Sequence, residues 1–470
     1  MQGYQTWRCG LVVDYQELKS LVDLAVDYAS EKVEGIIAKG TIRRGSQIRF
    51  SQSQIDIAKR WEELNLEMFI IYKGAKAGFT ERSTTSPEDV RSAVDETISF
   101  LRVLPESMFF AGVEDRTLQY RKIEGRYDSK IDEFTDRAPE IVNASIQAAL
   151  DEGARRVAGA LKFSKEMAYL RSSYGPTGET KETSFDLNVR AFQEELDYSG
   201  QGLSCGTEPT KSEGEMIDAG ARAGRLSKQA VGAVQGEPGV YDVVLSPTVA
   251  ANVIAHIPAT ANPFMVLIGL SALGDRMGEQ IGPEWLSVWD DPTLPGGVGS
   301  RAFDFEGTPS QRVTIVEDGV LKAFVHNTTT ARMYETESTG SSVPMQLIQG
   351  MKMLLPDNSN IVFSNGDHSL DELLEGSRPT IYVTCNWYTR FQNYQTGEFS
   401  TIPRDAMFLV RNGEMTPIKN IRISDNVMRM FSNIDAMGND RTQVWWWEVQ
   451  TPTFVPSIRV RNCRITAATQ

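Results

Sequence analysis

Histidine is the first residue type to weigh, because the neutral imidazole is the commonest protein ligand for catalytic metals. The chain has three histidines, His256, His326 and His368, and no two of them are close in the sequence. A helical zinc-peptidase motif needs two histidines about one turn apart and a Glu that acts as base for the metal-bound water. The sequence therefore contains no local zinc site, and only a site built from distant ligands, with Cys385 or Cys463 added, stays open.

The acid pair Asp290–Asp291 suggests a second chemistry, that of an aspartic peptidase. Such a dyad needs two carboxylates that converge on one water and share one proton. Neighbouring residues in an extended segment point to opposite faces. Asp-Asp-Pro is also typical of a turn in which Asp accepts backbone N–H bonds. We therefore interpret the pair as part of a turn.

Cys385 is the candidate for a nucleophile, but it follows the apolar run at 381–383. A thiol in such a setting is more often buried and inert than reactive. The sequence has no GxSxG elbow, no Walker A motif and no GxGxxG, and the GGVGS segment at 296–300 is typical of a flexible turn. The residues therefore supply no self-contained catalytic set.

A binding constellation occurs near the C-terminus. Residues 386–400 read NWYTRFQNYQTGEFS, which places large amphipathic rings beside amide, hydroxyl and guanidinium groups. Arg390 suits a carboxylate partner, and the mixture suits a peptide groove or a subunit interface. The alternative is a core hairpin held by aromatic packing. Both interpretations stay open, because aromatic residues are enriched in cores and in interfaces.

Composition describes a folded, acidic protein. The 470 residues carry a net charge of −14 and are enough for two or three domains, each with its own core. An acidic surface repels phosphate backbones, so we do not expect nucleic acid as a partner. The four cysteines (Cys9, Cys205, Cys385 and Cys463) form no CxxC pair, which is typical of a reducing compartment.

Targeting signals are not evident in the sequence. The N-terminus lacks the basic and apolar regions of a secretory signal peptide. The longest apolar run, at residues 263–273, is too short to span a bilayer. We interpret this run as buried core and expect a cytoplasmic protein without membrane association.

The elements that must position these residues mix helices and strands. Apolar spacing predicts a helix over residues 16–30, and Ser86 followed by Pro87 predicts the start of another. Glycines separate short strands that are predicted at 33–38, 47–50, 54–58, 66–72 and 77–80. A charged linker at 106–136, a helix at 139–152 and a hairpin closed by residues 175–178 come next.

The order of helix followed by strands occurs twice, which suggests a structural duplication. We predict an α+β fold with an N-terminal domain at 1–105, a middle domain at 106–211 and a large, mostly-β C-terminal domain at 212–470. In the last of these, the small residues at 215–234 predict a closely packed helix. The run Trp445–Trp447 in a strand predicts that at least one ring lies at the surface.

The stretch 289–340 resembles the shared C-terminal core of the TldD/PmbA family of peptidase-complex subunits, which has also carried the label of modulator of DNA gyrase. Further similarity lies at 241–256 (YDVVLSPTVAANVIAH), at 386–400 and at 413–420 (GEMTPIKN). The resemblance is weak in the N-terminal half, where it includes GFTERST at 78–84.

The family's active subunit carries a zinc-binding HExxxH motif. In this chain residues 256–261 read HIPATA, so that only His256 matches, with Ile257 in place of the catalytic Glu and Ala261 in place of the second His. The resemblance is therefore to the TldE/PmbA type, which lacks the motif. It implies that this chain carries no catalytic residue and no metal, and is inactive alone.

The resemblance further implies a heterodimer with a TldD-like, HExxxH-bearing subunit that holds the zinc and cuts flexible or unfolded peptides. On this chain it nominates the walls of a peptide site at Asn386, Trp387, Tyr388, Arg390, Phe391, Glu398 and Phe399. Two alternatives stay open. One is a homodimeric peptide-binding scaffold, and the other is a hydrolase with an unrecognised site that uses Asp290, Asp291, Cys385 or His326.

Overall fold

The chain's α+β architecture is taken from a computed structural model, which describes residues 14–107, 110–195, 198–348, 351–376 and 378–468. Cys9 and the N-terminal segment that was weighed as a signal peptide lie outside these residues. The predicted fold class is confirmed, because helices and large sheets share the first half and strands dominate the second.

The first half consists of two runs with the same order of elements. The first run is α1 (Tyr15–Ser30), β1 (Gly35–Ser51), β2 (Gln54–Lys73), β3 (Lys76–Arg82) and α2 (Pro87–Val103). The second run is α3 (Ile131–Asp151), β4 (Arg156–Ser172), β5 (Thr177–Phe192), β6 (Ser199–Gly206) and α4 (Glu213–Gln229). The repeated order agrees with the predicted duplication.

The two runs share one antiparallel sheet of order β3-β2-β1-β4-β5-β6. The two first strands, β1 and β4, pair at its centre from Ile37 opposite Ser172 to Phe50 opposite Gly159. The predicted domain boundaries stay predictions, and the one at 105/106 lies between two halves of this continuous sheet.

Helix ends follow the predicted signals in the first run. Helix α1 begins one residue before the predicted start, and Ser86 caps α2 by accepting a hydrogen bond from the Asp89 N–H at 3.3 Å. The short strands predicted between the helices were wrong in length, since Gly40 and Gly45 lie inside β1. A Cβ at Gly40 would lie 2.6 Å from Leu18, and one at Gly45 would lie 2.4 Å from Trp61. These glycines permit close packing and do not end a strand.

Helix α3 corrects the predicted linker. The prediction began this helix at Pro139, but the structure begins it at Ile131 and keeps Pro139 inside. The side chains of Ile131, Phe134 and Ala138 are buried in the core beneath the sheet. Their burial outweighs the hydrogen bond that proline removes from a helix interior.

The sheet has one apolar face and a second, mixed face, where polar side chains lie beside a buried apolar cluster that includes Ile37, Phe69 and Leu170. Helices α1 and α2 cover the apolar face at one end, and α3 and α4 cover it at the other. Alternate residues of β5 point away from the helices and are half-buried, among them Thr180 and Glu182. Lys39 and Glu166 lie on the same mixed face, which is turned toward the second half of the chain.

The second half consists of short helices and many strands. The helices are α5 (Pro247–Val253), α6 (His256–Ala259), α7 (Pro263–Leu267), α8 (Thr328–Met333), α9 (Leu370–Leu374) and α10 (Val427–Ser432). The strands are β7 (Val234–Gln235), β8 (Gly239–Leu245), β9 (Val288–Asp290), β10 (Val313–Glu317), β11 (Val320–Leu321), β12 (Ser342–Ile348), β13 (Met351–Pro356), β14 (Ile361–Phe363), β15 (Thr380–Asn393), β16 (Glu398–Arg411), β17 (Glu414–Lys419), β18 (Ile421–Asn426), β19 (Ile434–Met437), β20 (Thr442–Trp446), β21 (Val449–Val455) and β22 (Ile458–Ala467).

Five of these strands form a closed ring of pairings. Strand β15 pairs with β8 and with β16, β16 with β18, β18 with β22, and β22 again with β8. A second sheet of order β11-β10-β9-β14-β21-β20 lies beside it. The largest apolar core of the chain joins the two, and helices α5, α6 and α10 contribute to it.

The apolar run at 263–273 was only partly buried core. Phe264 and Leu273 are buried, but Leu267 is 60% exposed, Ile268 is 41% exposed and Leu270 is 36% exposed. The reason is that α7 ends at Leu267 and the chain turns outward through Gly269, whose φ is +73°. Within the described residues, no helix combines the length and the hydropathy that a membrane crossing requires.

Candidate functional site

His256 begins α6 and lies against the hairpin of β15 and β16. Its ring stacks on Phe391 with the ring centroids 3.9 Å apart and the planes 23° apart. Tyr394 continues the stack at 5.2 Å from Phe391. Burial lowers the pKa of His256 to about 4, so the imidazole is neutral at physiological pH. The structure thus brings the lone motif histidine together with the segment that sequence reasoning nominated for peptide binding.

The other two motif positions face the interior. Ile257 and Ala261 are both fully buried in the C-terminal core. A Glu or His side chain at either position would be buried among apolar groups, where a polar group without partners is costly. Across the described parts of the chain, no three side chains of His, Cys, Asp or Glu come together as a metal site would require.

The hairpin is irregular where its aromatic residues emerge. The register of β15 against β16 shifts between Trp387 and Arg390, and Tyr388 adopts a φ of +58°. Such a bulge re-aims side chains, and it leaves Tyr388 44% exposed. Trp387 lies 5.7 Å from Trp447, and Tyr388 lies 6.5 Å from it, measured between ring centroids.

Trp447 is a residue that the site prediction missed. The Trp445–Trp447 run predicted one surface ring, and Trp447 is 50% exposed whereas Trp446 is buried. We name the rings of Trp387, Tyr388, Phe391, Tyr394 and Trp447 the aromatic surface. The only sequence signal for Trp447 was the tryptophan run, which does not indicate what the ring contacts.

A buried polar network supports the aromatic surface from below. Asn386 is fully buried and donates through Nδ2 to Asn252 Oδ1 at 2.7 Å and to Thr401 Oγ1 at 2.8 Å. The Tyr388 N–H donates to Glu448 Oε1 at 2.9 Å. No local sequence pattern pointed to Asn252 or Glu448, because both come from distant segments.

The nominated residues divide into two groups. Trp387, Tyr388, Arg390, Phe391 and Glu398 are partly or well exposed, whereas Asn386 and Phe399 are buried. The exposed members could contact a ligand directly, and the buried ones support the hairpin. Positive charge also lies near the rings, since the Arg190 guanidinium is 4.5 Å from the Trp387 ring centroid, which is within cation–π range.

The acid pair forms structural contacts. Asp290 is fully buried and accepts hydrogen bonds from the Ser359 N–H at 2.7 Å and the Asn360 N–H at 3.0 Å. Burial raises the pKa of its carboxyl to about 6. Asp291 accepts from the Thr293 N–H at 2.9 Å, as expected of a turn. The two carboxylates thus bind different backbone segments.

The remaining candidates for an unrecognised active site are also buried. Cys385 is fully buried, and burial raises the pKa of its thiol well above the ordinary range. His326 is buried, its pKa is lowered by that burial, and its ring lies edge-on to Tyr334 at 5.8 Å. A protonated thiol and a buried imidazole in separate environments supply no nucleophile–base pair.

Comparison with known proteins finds a family model that matches the second half of the chain. Residues 238–467 match the family model of the PmbA/TldA metallopeptidase C-terminal domain. A metalloprotease of Methanocaldococcus jannaschii is 30% identical over 208 residues, which is 43% of this chain and 44% of the relative. Metalloprotease PmbA of Escherichia coli O157:H7 is 28% identical over 199 residues, which is 42% of this chain and 41% of the relative. The chain thus matches about half the length or less of these curated relatives.

Solved structures share the fold over almost the whole chain. A structure from Thermotoga maritima, described as a candidate modulator of a DNA gyrase, aligns with a TM-score of 0.81 at 24% identity, over 96% of this chain and 100% of the other. TldE from Thermococcus kodakarensis aligns with a TM-score of 0.82 at 17% identity, over 95% of this chain and 100% of the other. At these identities the likeness speaks for the fold alone.

Proposed function

We propose that this chain, whose residues 238–467 match the PmbA/TldA metallopeptidase C-terminal domain, is a TldD/PmbA family member and the non-catalytic subunit of a cytoplasmic zinc-dependent peptidase complex. The complex would act on flexible or unfolded peptides. Its zinc would be held by a TldD-like, HExxxH-bearing partner, and this chain would contribute a wall of the peptide site.

The observation that carries the proposal is the identity and burial of the residues at positions 256, 257 and 261, which correspond to the HExxxH motif. Ile257 and Ala261 are apolar and fully buried, and His256 is stacked on Phe391. A catalytic zinc site normally takes three well-placed protein ligands and a base for the bound water. Ile257 supplies no base, and Ala261 supplies no metal ligand.

The aromatic surface supports a role in binding. In the described residues, β15 pairs with β8 only at 380–383, whereas the segment beyond Cys385 pairs with β16 alone. A strand with one unpaired edge can accept an extended peptide by strand addition. The exposed rings of Tyr388 and Trp447 lie beside this edge and offer large apolar contacts.

Two measurements test the proposal. The first is the zinc content of the pure chain after equilibration with a slight excess of zinc and exhaustive desalting, which should be close to zero. The second is co-expression with an HExxxH-bearing family member, which should give a complex that cleaves unfolded peptides. One zinc per chain would contradict the first expectation, and separate elution of two inactive chains would contradict the second.

Variants of the surface refine the test. The Trp447→Ala and Tyr388→Ala chains should raise KM or weaken the complex, because each removes an exposed ring beside the free edge. Trp285→Ala is the matched control, since Trp285 is 47% exposed but is not part of the aromatic surface. Equal effects of all three substitutions would contradict a binding role for this surface. A stable, inactive homodimer that binds peptide would favour the scaffold alternative.

A further inference from the structure

A second site lies in a cavity between the two halves of the chain. Its volume is about 230 Å³, which is smaller than the roughly 300 Å³ at which sites for drug-sized ligands begin. One wall is the mixed face of the N-terminal sheet, where Lys39, Glu166 and Thr180 lie beside Ala168 and Leu170. The other wall is the segment 298–305, part of the stretch that carries the family resemblance and that the proposed function leaves without a role.

The segment 298–301 is held rigidly by side chains from distant parts of the fold. The Val298 N–H donates to Gln443 Oε1 at 2.8 Å, and the Gly299 N–H donates to Asn360 Oδ1 at 2.9 Å. A Cβ at Gly299 would lie 2.0 Å from the Ser359 carbonyl oxygen, so that only glycine fits there. This backbone fixes the start of the Arg301 side chain, as a preorganised binding site requires.

Arg301 has donor capacity that the protein does not use. Its Nη2 donates to the Asp357 carbonyl oxygen at 3.2 Å and its Nε is enclosed without a partner, whereas its Nη1 forms no hydrogen bond within the described residues. Within the described residues it forms no ion pair. The positive charge of Arg301 partly offsets the burial that raises the pKa of Asp290, Asp304 and Asp357. All three carboxylates lie beyond ion-pair distance from it. Nε is enclosed and out of reach of a ligand, so a ligand oxygen in the cavity would accept from Nη1 or from the second hydrogen of Nη2.

Some of the other charged side chains that line the cavity have partners within the protein, and others have none. Arg126 is paired with Glu182 and donates to the carbonyl oxygens of Gly297 and Val298, each at 3.0 Å. Asp304 accepts three backbone N–H groups, at 2.8 to 2.9 Å. In the described residues Lys39, like Arg301, has no carboxylate within ion-pair distance. The cavity therefore keeps two cations with free donors and one unpaired acid, Glu166.

We propose that this cavity binds a single carboxylate group, carried by a free amino acid or by the C-terminal end of a short peptide, with Arg301 as its principal partner. The forked guanidinium matches the two oxygens of a carboxylate. The acids in the wall disfavour a doubly charged phosphate. The small volume admits one chain end and excludes a longer segment. The site is separate from the aromatic surface and does not depend on the proposed subunit role.

The test is calorimetric titration of the pure full-length chain with alanine, dialanine, acetyl-alanine and dialanine amide. We expect binding of at least one carboxylate probe, and at least about tenfold weaker binding of the amide, which corresponds to about 1.4 kcal/mol. Preference for dialanine over alanine would identify a peptide end, and the reverse would identify a free amino acid. Binding of the amide as tightly as the acid, or of no probe at all, would overturn the proposal.

Two variants and a control locate the site. Arg301→Gln should weaken carboxylate binding at least about tenfold, and Thr180→Leu should do so by filling the cavity if the first variant folds poorly. Arg312→Gln is the control, because the Arg312 side chain is 52% exposed, lies over the Trp289 ring and does not line the cavity. Unchanged binding in both Arg301→Gln and Thr180→Leu would place the ligand elsewhere and refute the assignment.

Discussion

The stacked state of His256 makes a prediction that one titration decides. Its half-buried ring stacks on Phe391, and the loss of hydration lowers its pKa from 6.5 to about 4. At pH 5.5 an ordinary histidine is about nine-tenths protonated, whereas His256 should be about 3% protonated. The neutral ring should therefore be seen directly under mildly acidic conditions.

The same shift has a consequence for stability. Because the folded pKa lies below the unfolded pKa, the unfolded state binds more protons, and stability falls as the pH drops from about 6.5 toward 4. Integrating between these values gives a loss of about 2.5 kcal/mol at pH 4.5 and close to zero at pH 7.5. His256→Gln should remove this pH-dependent part and leave the other acid-linked losses in place.

The assay is NMR of the chain with ¹³C-labelled histidine, which gives one ring signal for each of the three histidines. The signal lost in His256→Gln assigns the residue. In Phe391→Ala the His256 pKa should move up toward 6.5, because the covering ring is gone and water reaches the imidazole. A wild-type pKa near 6.5, or a pKa that Phe391→Ala leaves unchanged, would refute the stacked geometry.

Three further predictions concern packing and reactivity. Gly220→Ala should cost about 1–3 kcal/mol in urea unfolding, because its Cβ would lie 2.0 Å from a carbonyl oxygen of α3, whereas Gly214→Ala should cost nothing, with no atom within 4 Å. Asn386→Ala should cost about 1–3 kcal/mol, since it leaves the buried network without its central donor; an unchanged thermal midpoint would contradict this. Cys385 and Cys463 should resist a thiol reagent at pH 8 until the chain is denatured, because burial raises the pKa of both thiols, as peptide mapping would show.

The sequence predicted most of what local periodicity controls. The start of α2 at Ser86 and the hairpin closed at 175–178 follow from capping and turn chemistry. The errors occurred where tertiary packing overrides local preference. Gly40 lies in mid-strand because Leu18 needs the space, and Pro139 lies within α3 because the helix buries an apolar face on both sides of it.

In the candidate site, too, local sequence features were predictable and contacts between distant segments were not. Residues 386–399 were found because aromatic and polar types are dense there, and Trp447 was within reach of the same reasoning. Asn252 and Glu448, which hold the hairpin in place, contact it only in the folded chain. Arg301 carries no sequence signal of its own, since its unused donor exists only because the sheet and the 298–305 segment enclose it.

The contrast between His256 and its two motif neighbours bears on how the proposed non-catalytic subunit would fold without a metal ion. A buried Glu at 257 and a buried His at 261 would each need a partner to offset the loss of hydration, and in an HExxxH site zinc is that partner. Ile257 and Ala261 place no polar group in the interior that would need such a partner. The His256 ring stacks on Phe391. His256, the one position that matches the zinc motif, thus supports the aromatic surface.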